Sequence, residues 1–217
     1  MRVLGLDEAG RGPVLGPMVL GAVLVEGDGQ AALYAMGAAD SKALDRARRE
    51  ALYAEIAGRF AWDVVELAPA ALEENLTQVE LDGLAKLINK LRPQAVYLDA
   101  PVGPAAIPGF VRQLADRLDF QPQITAENRA EDRYPVVAAA SIVAKVTRDR
   151  AMTALHARYG DIGWGYPAEP KTQAFLRRCA DEGRFPDCVR TRWATVQRFK
   201  QRSLFDPPPP PPLKKGD

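Results

Sequence analysis

The residues best suited to chemistry in this chain are acids placed against apolar runs. Asp7 and Glu8 follow "RVLGL" (2–6), and Asp99 ends "AVYLD" within "QAVYLDA" (94–100). Short apolar runs of this kind read as buried strands. Acids at the ends of buried strands stand at a sheet edge, where a ligand can reach them. If the two strands are neighbours, the carboxylates converge, and converging carboxylates resist ionisation unless a cation neutralises them. Such an all-oxygen donor set suits Mg²⁺ or Mn²⁺ rather than zinc. Two such ions roughly 3.5–4 Å apart activate water and stabilise the leaving oxygen at a phosphodiester. Any one of these acids, taken alone, is better read as a turn or cap residue.

The Gly-rich stretch "EAGRGPVLGP" (8–17) follows the first acids directly. Glycine lets backbone approach a ligand closely, and backbone donors together with Arg11 suit sugar and phosphate. The stretch lacks the Lys-Ser/Thr ending of a P-loop and the placement of a dinucleotide fingerprint. His156 is the only histidine and is far in sequence from every acid, so a surface position is expected for it. Ser/His/Asp chemistry therefore has little support, which leaves metal-activated water as the nucleophile. Cys179 and Cys188 are too few for a disulfide scaffold and form no CxxC pair.

The elements that must position these residues read as an α/β core followed by helices. Strands are expected at 2–6, 17–27, 61–68, 94–100 and 122–128. Helical spacing covers 40–60, with Asp40 or Ser41 as cap, and then 78–91, 109–118, 135–160, 169–183 and 191–203. Pro135 suits the first turn of the long helix and Gly160 its end. The tail "DPPPPPPLKKGD" (206–217) favours an extended polyproline rod. The expected division is a catalytic core over 1–160, a helical substrate-binding segment over 161–203, and a disordered proline-rich tail over 204–217.

Net charge is +1, but it is unevenly spread. Residues 1–128 hold 12 Lys/Arg against 18 Asp/Glu, and residues 129–202 hold 15 against 8. An acidic half beside a basic half fits a nuclease site beside a phosphate-binding surface. Almost half the residues, 47%, are apolar, enough for a sizeable core. The N-terminus is not a signal peptide, and no run has the roughly 18 apolar residues of a membrane span. A cytoplasmic monomer without membrane contact is expected.

The stretch "GLDEAGRGPVLGPMV" closely resembles the N-terminal signature of the ribonuclease HII family, the type 2 ribonucleases H. "DSKAL" (40–44), "YLDA" (97–100), "YPVVAAASIVAKVTRDRA" (134–151), "GYP" (165–167) and "RWATV" (192–196) resemble further family motifs, in family order. The resemblance covers about residues 1–200, and the wording "GPVLGPMV" and "YPVV" looks like the archaeal and eukaryotic branch. It implies a ribonuclease H-like fold with a mixed five-stranded sheet flanked by helices, plus a helical C-terminal segment. It also implies four acids holding two Mg²⁺ or Mn²⁺ ions. Asp7, Glu8 and Asp99 carry over cleanly. The fourth position, three residues before "YP", is aspartate in the family and Glu131 here, with Asp132 beside it as the alternative.

The implied activity is endonucleolytic hydrolysis of the RNA strand of RNA/DNA hybrids, and cutting 5′ of ribonucleotides embedded in duplex DNA. The ends left are 3′-OH and 5′-phosphate. Gly10, Arg11 and Gly12 resemble the element whose backbone contacts the ribose 2′-OH. Tyr166 resembles the tyrosine that stacks at the RNA–DNA junction. The 2′-OH is the group that separates RNA from DNA at a fixed site. Lys42, Ser141, Lys145 and Thr172 are candidate phosphate contacts. Lys145 reads equally as a solvated helix residue, and Ser141, by composition, as a small core residue. Trp193 is expected in the core. Two other readings remain: a catalytically impaired junction-binding protein, marked by Glu131, and a DNA-cutting nuclease of the same fold superfamily. "QRSLF" (201–205) looks like the start of a sliding-clamp motif but lacks its paired aromatics, so clamp binding is not expected.

Overall fold

The computed structural model describes residues 1–38 and 44–205, the last four by backbone alone. Its sheet has five strands: β1 (Val3–Ala9), β2 (Met18–Val25), β3 (Ala61–Leu67), β4 (Ala95–Asp99) and β5 (Gln123–Glu127), in the order β3-β2-β1-β4-β5. β1, β2 and β3 pair antiparallel, while β4 and β5 join β1 in parallel. The mixed α/β architecture expected from the sequence is the one observed.

Strand alternation decides what lies on each face. Leu4, Leu6, Leu20, Val96 and Leu98 point to one core, shared with α3 (Leu76–Leu91) and α4 (Ile107–Ala115). Val3, Val23, Val25 and Tyr97 point to the other. That face is covered by α1 (Gly29–Ala35), α2 (Arg46–Arg59) and α5 (Pro135–Tyr159). The chain is thus a sheet between two helical layers. α6 (Pro170–Asp181) and α7 (Ala194–Phe205) form a third cluster with the end of α5. Val14 and Leu15 of the Gly-rich stretch are part of that cluster, so the C-terminal helices share their core with the loop after β1.

α5 lies unusually close to the sheet. A Cβ on Gly5 would sit 2.1 Å from the Val136 carbonyl oxygen, and one on Gly21 would sit 2.4 Å from that of Ala140. Glycines beneath the alanines of α5 let the two backbones touch. This contact brings the polar residues of α5 down to β1.

Three local expectations needed correction. β1 runs through Asp7 and Glu8 instead of stopping before them, because Asp7 pairs with Gly21, Glu8 with Leu20 and Ala9 with Val19. α1 was not expected; seven residues are too few to show a helical period, and burial of Leu33 holds it in place. α2 starts at Arg46, where the Asp45 side chain accepts from the Arg48 N–H at 2.8 Å. Asp40 and Ser41, the caps expected for that helix, lie outside the described residues. Among the described residues no helix is long and apolar enough to cross a membrane.

Candidate active site

Register brings the acids together. Parallel pairing sets Leu6 opposite Leu98, so the next residues, Asp7 and Asp99, leave adjacent strands at the same level. With Leu4, Leu6, Val96 and Leu98 on the α3 face, alternation turns Asp7 and Asp99 toward α5 and Glu8 toward α3. β5 pairs Asp99 with Glu127 and then enters a tight turn (130–132) that carries Glu131. The turn's Ala130 N–H donates to Asp99 Oδ1 at 3.0 Å, which ties the fourth-acid segment to the third acid.

The electrostatics are those of buried carboxylates, with like charges adding to the effect of burial. Burial pushes the Asp7 carboxyl up to about 6, against relief from the Ser141 hydroxyl and Lys145. Glu8 is raised well above the ordinary range by burial and then by the charges of Asp7, Glu80 and Asp99. Ionising all of them without a counter-cation is therefore unfavourable. The donors are all carboxylate oxygens, the set preferred by hard divalent cations. Among the described residues, no three His, Cys, Asp or Glu side chains stand at ligating distance in this conformation.

The two candidates for the fourth acid differ in placement. Glu131 is 9% exposed and lies inside the turn. Asp132 is exposed and paired with Arg129 at 2.7 Å.

Of the expected substrate residues, Tyr166 is 53% exposed. Gly12 is exposed, with open space around its Cβ position. Gly10 has φ +89°, and a Cβ there would meet Arg148 Nε at 2.2 Å, so only glycine fits. Four expectations change. The Arg11 side chain is held by Glu80, donating Nε to Oε2 at 3.2 Å, so its backbone and not its guanidinium is left as the contact. Ser141 is fully buried; it accepts from Lys145 Nζ at 2.7 Å, and its hydroxyl eases ionisation of the Asp7 carboxyl, so it supports the acid from beneath. Thr172 is fully buried too, because its hydroxyl holds the 162–169 loop. It accepts from the Gly165 N–H and lies 3.1 Å from both Ile162 O and Glu169 Oε2. His156 is half-buried, not on the surface: its Nε2 is 2.7 Å from Gly163 O and its ring meets Trp164 edge-on. Lys145 is half-buried beside Ser141. Trp193 packs against the third cluster as expected. Lys42 lies outside the described residues.

Three residues escaped the sequence reading. Glu80, 1% exposed, carried a signal: it shares a helical stripe with Leu76, Gly83, Leu84 and Leu87, and a carboxylate in such a stripe needs a cation partner. The others are Arg148 and Arg190. Arg148 donates to Pro17 O and Leu15 O at 3.3 Å and to Trp164 O at 3.0 Å. Arg190 is fully buried and donates to Gly10 O at 2.6 Å, Gly16 O at 3.0 and 3.1 Å and Arg11 O at 3.3 Å. Burial and the charge of Arg148 push the Arg190 guanidinium down to about 9.

A mixed five-stranded sheet with carboxylates gathered at the ends of its two central parallel strands defines a hydrolase of the ribonuclease H-like fold. Comparison with known proteins narrows the class. A family model described as Ribonuclease HII matches residues 4–196. The chain is 42% identical over 209 residues to ribonuclease HII of Thermococcus kodakarensis, covering 93% of this chain and 91% of that one. It superposes with a TM-score of 0.88 on the ribonuclease H2 of Pyrococcus horikoshii, at 34% identity over 95% of this chain and 100% of that one. A PCNA:RNase HII complex from Archaeoglobus fulgidus contains a chain 36% identical, with TM-score 0.81 over 89% of this chain and 95% of that one. An RNase HIII solved in complex with Mn²⁺ shares the fold, at 21% identity and TM-score 0.80 over 95% of this chain and 71% of that one. The chain belongs to the ribonuclease HII family, and it is an endoribonuclease of the ribonuclease H class.

Proposed function

We propose that this endonuclease cuts the RNA strand of RNA/DNA hybrids and also cuts duplex DNA on the 5′ side of a single embedded ribonucleotide, leaving 3′-OH and 5′-phosphate ends. One observation carries the reading most: the register that levels Asp7 with Asp99 also sets the Gly10–Gly12 turn, open at Gly12, next to Glu8. Carboxylates for hydrolysis and N–H donors for a sugar hydroxyl then lie on one short segment.

Asp7, Glu8, Asp99 and Glu131 would hold two Mg²⁺ or Mn²⁺ ions. Such ions supply an activated water and neutralise charge at the scissile phosphate. Glu131 is taken as the fourth acid because it is buried in the turn attached to Asp99, whereas Asp132 faces outward on Arg129. Ser141 and Lys145 hold the Asp7 carboxylate in position from α5. Glu80 fixes the Arg11 side chain and leaves the backbone of the loop to the substrate. Tyr166, exposed and beneath the Arg148 guanidinium, offers a flat face for a base or sugar at the junction. The Mn²⁺ complex of the RNase HIII agrees with this ion class.

The test is cleavage of a duplex with one ribonucleotide by wild type, Glu131→Gln and Asp132→Asn, in Mg²⁺ and in Mn²⁺. Specific cutting 5′ of the ribonucleotide, lost in Glu131→Gln and kept in Asp132→Asn, is expected. Binding without product by folded wild type would favour a junction-binding protein instead. Cutting of the all-DNA duplex would favour a DNA nuclease.

A further inference from the structure

Arg148 and Arg190 are buried cations without a carboxylate partner among the described residues; carbonyl oxygens take that role. Keeping a guanidinium out of water is costly unless its donors are satisfied. Its planar fork of five N–H groups can gather several acceptors at fixed angles, which an ammonium cannot do. Here the acceptors belong to one loop: Gly10, Arg11 and Gly16 face Arg190, and Leu15 and Pro17 face Arg148. Arg148 also holds Trp164 O and lies 6.0 Å from the Tyr166 ring centre, so it joins the Gly-rich loop to the Tyr166 loop.

Peptide planarity gives this arrangement a consequence. In a trans peptide the C=O and the following N–H point in opposite directions. With the carbonyls of Gly10 and Arg11 drawn inward onto Arg190, the N–H groups of Arg11 and Gly12 point outward. Among the described residues neither N–H meets a protein acceptor. The space around the Cβ position of Gly12 is empty for 4 Å. Two outward donors, backed by a fixed cation and adjacent to Glu8, suit a small oxygen acceptor.

We infer that Arg190 is the positioning residue for ribose recognition: by drawing the Gly10 and Arg11 carbonyls inward, it presents the Arg11 and Gly12 N–H groups to the 2′-oxygen of the ribonucleotide, and Arg148 sets Tyr166 relative to them. The inference rests on the proposed cutting at a ribonucleotide and adds the device that would make it selective. Arg190 touches no substrate; it acts through the loop. Lysine at this position keeps a cation but not the fork, and should let the loop carbonyls rotate.

The experiment uses the full chain as Arg190→Lys and Arg190→Met, checked by thermal melting to be folded at the assay temperature. Cleavage of a duplex with one ribonucleotide is measured with the same-sequence all-DNA duplex as competitor. The ribonucleotide duplex should lose about ten-fold or more in kcat/KM, the scale of a lost hydrogen bond to a buried-site donor. The competitor Ki should stay within about two-fold, because phosphate contacts carry non-specific binding. A purely structural Arg190 would weaken both together; that result, or unchanged kcat/KM in folded variants, overturns the inference. As a check that needs no variant, the wild-type amide resonances of Arg11 and Gly12 should move on adding the ribonucleotide duplex and stay in place with all-DNA duplex. Equal movement with both refutes the donor assignment. If wild type cuts both duplexes alike, the proposed function itself fails, a result distinct from loss of preference only in the variants.

Discussion

Replacing Asp7 by asparagine should make the metal-free protein more stable while abolishing its activity. The Asp7 carboxyl moves from 3.8 to about 6 on folding, mainly through burial. At about 1.4 kcal/mol per tenfold change in the proton equilibrium, holding it ionised in the fold costs about 3 kcal/mol. The folded state binds the proton more tightly than the unfolded state. The stability linked to this group is therefore fully present below about pH 4 and is lost as pH rises through about 6. Asparagine carries no such cost. The Lys145 and Ser141 contributions are already contained in that shift; asparagine retains an oxygen for the Glu8 N–H, which donates to Asp7 Oδ1 at 2.7 Å, but puts an amide NH₂ where a carboxyl oxygen stood, which costs about 1 kcal/mol. The net gain at neutral pH is about 2 kcal/mol, or about 4–8 °C in Tm for a chain of this size. Thermal melts of both proteins in chelator, from pH 4 to 7.5, read it directly. The Tm difference should open with rising pH, and Mg²⁺ should raise the Tm of wild type more than that of the variant. A pH-independent difference, a less stable variant at pH 7.5, or a variant that still cuts would refute the reasoning.

Other outcomes follow from the same geometry. Glu131→Gln should lower kcat by about a hundred-fold or more, the scale of a lost metal-site carboxylate, and Asp132→Asn should leave it within about three-fold, as for an exposed ion pair; steady-state cleavage assays separate them. Gly10→Ala places a Cβ 2.2 Å from Arg148 Nε at φ +89°. It should cost about 1–3 kcal/mol in chemical denaturation and most of the activity. Thr172→Val leaves the Gly165 N–H without its acceptor, so a loss of about 1–3 kcal/mol in stability is expected. A changed salt dependence of DNA binding with unchanged Tm would instead restore Thr172 as a phosphate contact. Sliding-clamp binding is not expected from Gln201–Phe205, and the A. fulgidus PCNA:RNase HII complex makes a pull-down the direct check. Clamp captured by the full chain but not by one lacking 201–217 would reverse that expectation.

Much of the scaffold was legible because each element has a local signature. The runs ending near Asp7 and Asp99 showed their strand character directly, and Pro135 and Gly160 bracketed α5. Other features had no local signature. The burial of Thr172 depends on a loop folding back onto α6. Arg190 sits in "DCVRTRW", where nothing marks an arginine that will be sealed beneath residues some 180 positions earlier.

The sequence by itself determined the kinds of groups available: acids at the ends of two apolar strands, glycines beside the first pair, a tyrosine between Gly165 and Pro167. Residue order carries that information because strand alternation and turn chemistry are local. The tertiary structure decided which of these groups meet. Parallel register between β1 and β4 levelled Asp7 with Asp99, the Gly5 and Gly21 gaps admitted Ser141 and Lys145 of α5, and two buried guanidiniums fixed the direction of the loop's peptide groups. Those are long-range pairings. The free energy that selects them is gained only when the sheet, α5 and the C-terminal segment are all in place.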